Sequence, residues 1–169
     1  MPVSENSPQR KPIRLKEFDY SAPGAYFVTM VMHDRKELLG TVENGQMILS
    51  TEGNMVRQAW FELPRHYTNV SLDEEDFVVM PNHVHGIIVL SDITSSDRLL
   101  SGCALTEIIR AFKAFSARRI NLHRGISGVP VWQRSFYEHV LRDEEEWDRA
   151  RKYILQNPRN WQDDQENVM

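Results

Sequence analysis

Residues 77–90 read FVVMPNHVHGIIVL, an apolar run with few ways to fold. Its β-branched content and its length on either side of Pro81-Asn82 predict two short strands joined by a break or turn. The residues around it supply the other elements. Residues 25–32 (AYFVTMVM) predict a strand. Glu43-Asn44-Gly45, between the short apolar segments 41–42 and 47–49, suits a hairpin turn because Asn-Gly tolerates positive φ. Residues 51–67 space Met55, Val56, Ala59, Trp60 and Leu63 as a helix does, and Pro64 can end or kink its last turn.

Residues 105–122 set Ile108, Ile109, Phe112, Phe115 and Ile120 on one stripe, an amphipathic helix with a cationic outer face. Residues 131–141 read as a strand with Trp132, Phe136 and Val140 on one face and Gln133, Tyr137 and His139 on the other. A last helix starts at Asp143, with Glu146 at its third position as a variant capping box, and Pro158 ends it near Asn157. The order βββαββαβα predicts an α+β sandwich, an antiparallel sheet with two or three helices. One domain is expected over residues 21–161, after a basic arm (1–20) and before a polar, disordered tail (162–169).

A chain of 169 residues can bury a useful core in one domain. No apolar run approaches the ~20 residues that span a bilayer. The first residues lack the apolar core of a secretory signal, and a lone Cys103 excludes an internal disulfide and a cysteine zinc cluster. These features lead to an expected cytoplasmic location. A net charge of −4 disfavours a protein that coats nucleic acid with its whole surface. Phosphate binding needs only a local patch, however. Residues 106–124 hold Arg110, Lys113, Arg118, Arg119 and Arg124 against Glu107, and the arm adds Arg10, Lys11, Arg14 and Lys16. Such a stripe is ordinarily a solvated face; here DNA contact is an equal expectation.

His83-Val84-His85 is the sharpest chemical feature. Alternate strand residues share a face, so the two imidazoles can project side by side and coordinate one divalent ion. The plain alternative is a strand decorated by two satisfied histidines. Gly86 permits close approach of another backbone or a ligand. Tyr153 and Asn157, four residues apart in the last helix, share a face. An Asn carbonyl is a hard ligand suited to Mg²⁺ or Mn²⁺, and a phenol one turn back can lie near a metal-bound phosphate. A half-buried tyrosine and a polar helix end account for the same two residues.

The ordered blocks RLKEFDYSAPGAYFVT, FVVMPNHVHGIIVL, LTEIIRAFKAFSARRIN and VWQRSFYEHVLRDEEEWDRARKYILQNPRNW resemble the REP-associated tyrosine transposases, of the HUH single-tyrosine superfamily. The resemblance spans residues 13–161. It implies that His83 and His85 are the HUH pair, Tyr153 the nucleophile, and Asn157 the third ligand of a Mg²⁺ or Mn²⁺ ion. The implied fold is a ferredoxin-like (RRM-like) sandwich, and the implied partner is single-stranded DNA bearing hairpins of repetitive extragenic palindromes. The implied reaction is endonuclease cleavage and strand transfer through a 5′-phosphotyrosine. Arg14, Arg110, Lys113, Arg118, Arg119 and Tyr137 are the expected DNA contacts, with Tyr137 also the rival nucleophile and His139 a solvated residue or further contact. The competing readings are a DNA-hairpin binder without catalysis, an RRM-like RNA binder, and a zinc hydrolase, which would want one more nitrogen or carboxylate ligand. Monomer and dimer remain equally open.

Overall fold

The computed structural model describes residues 22–92 and 104–164 together with Asp19 and Glu166. Arg14 and the other cations of the basic arm lie outside the described residues. In chain order the elements are β1 (Gly24–Val31), β2 (Gly40–Glu43), β3 (Gln46–Leu49), α1 (Thr51–Phe61), α2 (Leu63–His66), β4 (Val70–Ser71), β5 (Phe77–Val79), β6 (His83–Leu90), α3 (Leu105–His123), β7 (Tyr137–Leu141) and α4 (Glu144–Gln156). No helix among the described residues is long and apolar enough to cross a membrane.

β6 and β1 pair antiparallel over their full lengths, Gly24 opposite Leu90 and Val31 opposite His83. β7 extends the sheet beyond β1, while β5 and β4 share the other edge of β6. Reading β1, α1, β5, β6, α3, β7 along the chain against β5–β6–β1–β7 in space gives the antiparallel ferredoxin-like arrangement. The expected α+β sandwich is what forms.

Strand alternation splits the core between the two sheet faces. Tyr26, Val28, Met30, Val84 and Ile88 join Trp60 of α1 and Phe112 of α3 in the larger cluster. Ala25, Ile87 and Leu141 face the other way and meet Ile154 of α4 in a smaller one. α4 is therefore a third layer, covering the sheet face that α1 and α3 leave open. Tucked under it, the residues of β6 on that face gain shielding that the outer face of an antiparallel sheet often lacks.

The β2–β3 hairpin turns at Asn44 and Gly45, both with positive φ, as the Asn-Gly pair predicts. It forms a separate two-stranded sheet. The helix expected over 51–67 is interrupted at Glu62, and Pro64 sits in the first turn of α2 where its missing N–H costs nothing. The strand expected over 131–141 is also shorter. Only Tyr137–Leu141 pairs as a strand, with an isolated bridge from Trp132 to Met32 before it. The reason is Lys113, whose Nζ donates to the carbonyls of Gln133 (2.9 Å), Arg134 (3.3 Å) and Ser135 (2.9 Å) and draws them off the ladder. At the start of α4, Asp143 Oδ1 accepts from Glu146 N at 2.8 Å, and Glu146 Oε2 returns to Arg142 N rather than to the cap residue itself.

Candidate active site

β6 sets His83 and His85 on the face toward α4, with Val84 in the opposite core. Both imidazoles are buried, and their Nε2 atoms stand 3.0 Å apart. The outer ring nitrogens are held by hydrogen bonds. Asn82 Nδ2 donates to the Glu166 carbonyl at 2.6 Å, so its Oδ1 is the atom that faces His83 Nδ1 at 2.8 Å and accepts from it. Thr29 Oγ1 lies 2.7 Å from His85 Nδ1. Asn82 Oδ1 fixes a proton on His83 Nδ1, and the Thr29 hydroxyl can accept one from His85 Nδ1; in that tautomer both Nε2 atoms turn lone pairs toward the space between them. Hydrogen bonds of this kind to the outer ring nitrogen fix the tautomer of metal-binding histidines.

Burial pushes both imidazoles below their ordinary pKa, His85 well below, with His83 beside it adding to the effect. The carboxylates of Asp164 and Glu166 pull His83 partly back. The neutral imidazole is the ligand form.

α4 brings Tyr153 and Asn157 to the same place. The Tyr153 ring centre is 5.0 Å from that of His85, and the ring is half-exposed. Asn157, the C-cap of α4, is buried with its side chain near both His83 and Tyr153. Its Oδ1 has no hydrogen-bond partner among the described residues. Burial raises the Tyr153 pKa, Asp164 and Glu166 raise it further, and Asn157 opposes them. As it stands, the phenol is held protonated.

The chain beyond α4 closes the site. Asp164 Oδ2 lies 3.7 Å from His83 Nε2, and one atom each from His83, His85 and Asp164 fall within 4.8 Å of one another. Trp161 covers His83 at 5.9 Å between ring centres. The expected domain end at residue 161 leaves Asp164 in the polar tail, whereas here it stands against His83. The available signal was the Asp163-Asp164 pair next to Trp161. The residues fit a divalent cation. Two atoms ~2.1 Å from one ion and at right angles are ~3.0 Å apart, which is the imidazole spacing. The orphaned Asn157 oxygen and the Asp164 carboxylate add hard oxygen donors, the mixture that suits Mn²⁺ or Mg²⁺.

Of the remaining expected contacts, Tyr137 is exposed on β7, edge-on to Phe27 at 6.3 Å, beside the site. The cations of α3 are elsewhere, since α3 packs on the sheet face opposite the imidazoles. Lys113 is engaged with the 133–135 carbonyls, and Arg119 pairs with Glu62 and ties α3 to the end of α1. Arg110 and Arg118 are exposed. Gly86, expected to admit a backbone or ligand, instead makes room for the Trp60 indole from the far face.

No family model matches the chain. An "Uncharacterized protein" of Haemophilus influenzae is 36% identical over 92% of this chain and 92% of its own length. A "Putative REP-associated tyrosine transposase" of the same organism is 26% identical, covering 83% of this chain and 73% of that one. Among solved structures, a REP-associated tyrosine transposase bound to a REP hairpin superposes with a TM-score of 0.61 at 21% identity, over 88% of this chain and 74% of that one. The chain therefore belongs to one family with the uncharacterized Haemophilus influenzae protein, and that family is like the REP-associated tyrosine transposases, as the sequence blocks implied.

Proposed function

We propose that this chain is a metal-dependent endonuclease and strand transferase for single-stranded DNA, acting on hairpin-bearing palindromic repeats through a 5′-phosphotyrosine. The observation that carries the reading is the convergence of His83, His85, Asn157 and Tyr153 from a strand and a separate helix. A purely structural pair of buried histidines would not need an unpartnered amide oxygen beside it.

His83, His85 and Asn157 would hold the ion, Mg²⁺ or Mn²⁺, and Asp164 is placed to join them. When bound, the cation supplies Lewis-acid stabilisation of charge on a non-bridging phosphate oxygen. Burial keeps the imidazoles neutral, and Asn82 and Thr29 keep them aimed. Tyr153 Oη gives up its proton as it attacks the phosphorus, the P–O3′ bond breaks, and the departing oxygen takes up one proton to become a free 3′-hydroxyl. The phosphotyrosine ester keeps the energy needed to rejoin the strand to another 3′-hydroxyl. Half-exposure of Tyr153 leaves room for that exchange. Arg110 and Arg118 are assigned a sequence-independent grip on the phosphate backbone, a layer away from the scissile bond.

Asp164 also favours a second reading, since a carboxylate is what a metal-activated-water hydrolase would require. One experiment separates them. A labelled hairpin oligonucleotide incubated with Mn²⁺ should yield a protein–DNA band that survives a denaturing gel. Cleavage with no covalent band would transfer the site to the hydrolase reading, and no cleavage would leave a hairpin-binding module.

A further inference from the structure

Beside the proposed metal site, β7 and α4 border an open pocket of about 280 Å³. Phe27 and Ala150 form part of its apolar lining. Tyr137 and Tyr153 stand edge-on to Phe27 at 6.3 and 6.0 Å and are both strongly exposed, 40% and 47%. The polar lining holds His139, Glu146 and Arg149, with His139 Nε2 3.5 Å from Glu146 Oε2.

We propose that this pocket takes a single unstacked nucleobase of the strand next to the scissile phosphate, stacked on Tyr137 and read at its edge by the polar lining. The neighbourhood of the scissile phosphate rests on the function proposed above; the stacking chemistry does not. Helix capping accounts for Glu146, and a solvated ion pair accounts for His139. Neither accounts for a concave site walled by two bare tyrosines. Base–aromatic stacking is the general means of holding single strands, because every base has a π-face. The volume lies near the lower end of small-ligand pockets, which suits one planar ring system and excludes a stacked duplex. The polar lining offers an acceptor carboxylate at Glu146 and a donor guanidinium at Arg149. Base edges carry both donors and acceptors, so such a pair can discriminate among them. Position completes the case, since Tyr153 is a wall of the pocket as well as the proposed nucleophile. The nucleotide joined to the attacked phosphorus is the one within reach.

The test uses hairpin oligonucleotides with single-stranded flanks, each carrying one abasic site at a different flanking position. Binding to the full chain is measured by fluorescence anisotropy in EDTA, so that cutting plays no part. One abasic position should weaken binding about tenfold or more, within the range known for base–aromatic stacking. That penalty should vanish in Tyr137→Leu and in Ala150→Leu, which narrows the pocket with a strong helix former. Thermal melts of both variants establish that they fold. A flat abasic profile, a penalty undiminished in both variants, or no binding of any such hairpin overturns the proposal. A parallel arm with intact DNA and Mn²⁺ scores the covalent adduct. Base-dependent binding without an adduct sinks the nuclease reading and keeps the pocket; an adduct with a flat profile does the reverse.

Discussion

Asp76 and Arg151 meet in a two-pronged ion pair, Nε to Oδ1 at 2.6 Å and Nη2 to Oδ2 at 2.9 Å, that fastens α4 to the turn before β5. Trp147 Nε1 reaches the same carboxylate at 3.3 Å. Arg151 is two residues from Tyr153, so the clamp fixes the helix on which the proposed nucleophile rides. Asp76→Ala should cost about 1–3 kcal/mol in chemical denaturation, below the range for a fully buried pair because Arg151 is a third exposed to solvent. Adduct formation should fall further than hairpin binding. An unchanged unfolding midpoint and unchanged cutting would show that α4 is held by its apolar face alone.

The two tyrosines separate by substitution. Tyr153→Phe keeps the ring against His85 and Phe27 and removes only the oxygen proposed to attack. Folding and DNA binding should survive while cleavage and the adduct disappear. Tyr137→Phe should retain cleavage. Mass spectrometry that maps the adduct peptide to Tyr137 would reassign the nucleophile.

Asn82 touches no metal in the proposed scheme, yet its side chain orients His83. Asn82→Ala should weaken Mn²⁺ binding about 10–100-fold, the usual cost of losing a hydrogen bond that orients a ligand. Asp164→Asn tests whether the C-terminal carboxylate joins the ligand set. Titration of Mn²⁺ followed by paramagnetic resonance reads both directly, without reference to cutting.

Acid should destabilise the metal-free protein. His83 and His85 have folded pKa values below the unfolded ones, so the unfolded chain binds protons that the native site refuses. Stability is then complete above the ordinary imidazole pKa of about 6.5 and is lost as pH falls from there toward the depressed folded values. Thermal melts in chelator from neutral to mildly acid pH should show this loss, and alanine at both histidines should flatten it.

The cations of α3 divide into two pairs. Arg119→Ala should lower stability modestly by releasing Glu62, whose pKa the guanidinium holds below the usual carboxylate value. Arg110→Ala with Arg118→Ala should leave stability unchanged and reduce the salt dependence of hairpin binding. Equal salt slopes in that variant and the parent would remove α3 from the DNA-binding surface.

Much of this was legible from residue order because local rules and tertiary demands agree. The Asn44-Gly45 turn, the strand carrying His83 and His85, and the Asp143 cap each follow from short-range chemistry. The 131–141 strand did not, because three carbonyls there answer to Lys113, a residue 20 to 22 positions away. Asp164 was missed for a related reason. Only the fold-back of the chain past Asn157 turns a polar terminal residue into a neighbour of the imidazoles, and nothing in the local pattern encodes that return.

Gly86 follows His85 on β6, and the sheet there is one chain thick. A Cβ at position 86 would stand 2.5 Å from Cζ2 and 2.8 Å from Cη2 of Trp60, which stacks on Phe77 at 4.5 Å. The indole is thus a backstop pressed against the reverse side of the strand that aims the imidazoles. Any larger residue at 86 must lift that strand off its support, and a smaller one at 60 must let it sag. How steadily the histidines point is set by a tryptophan on the face turned away from them.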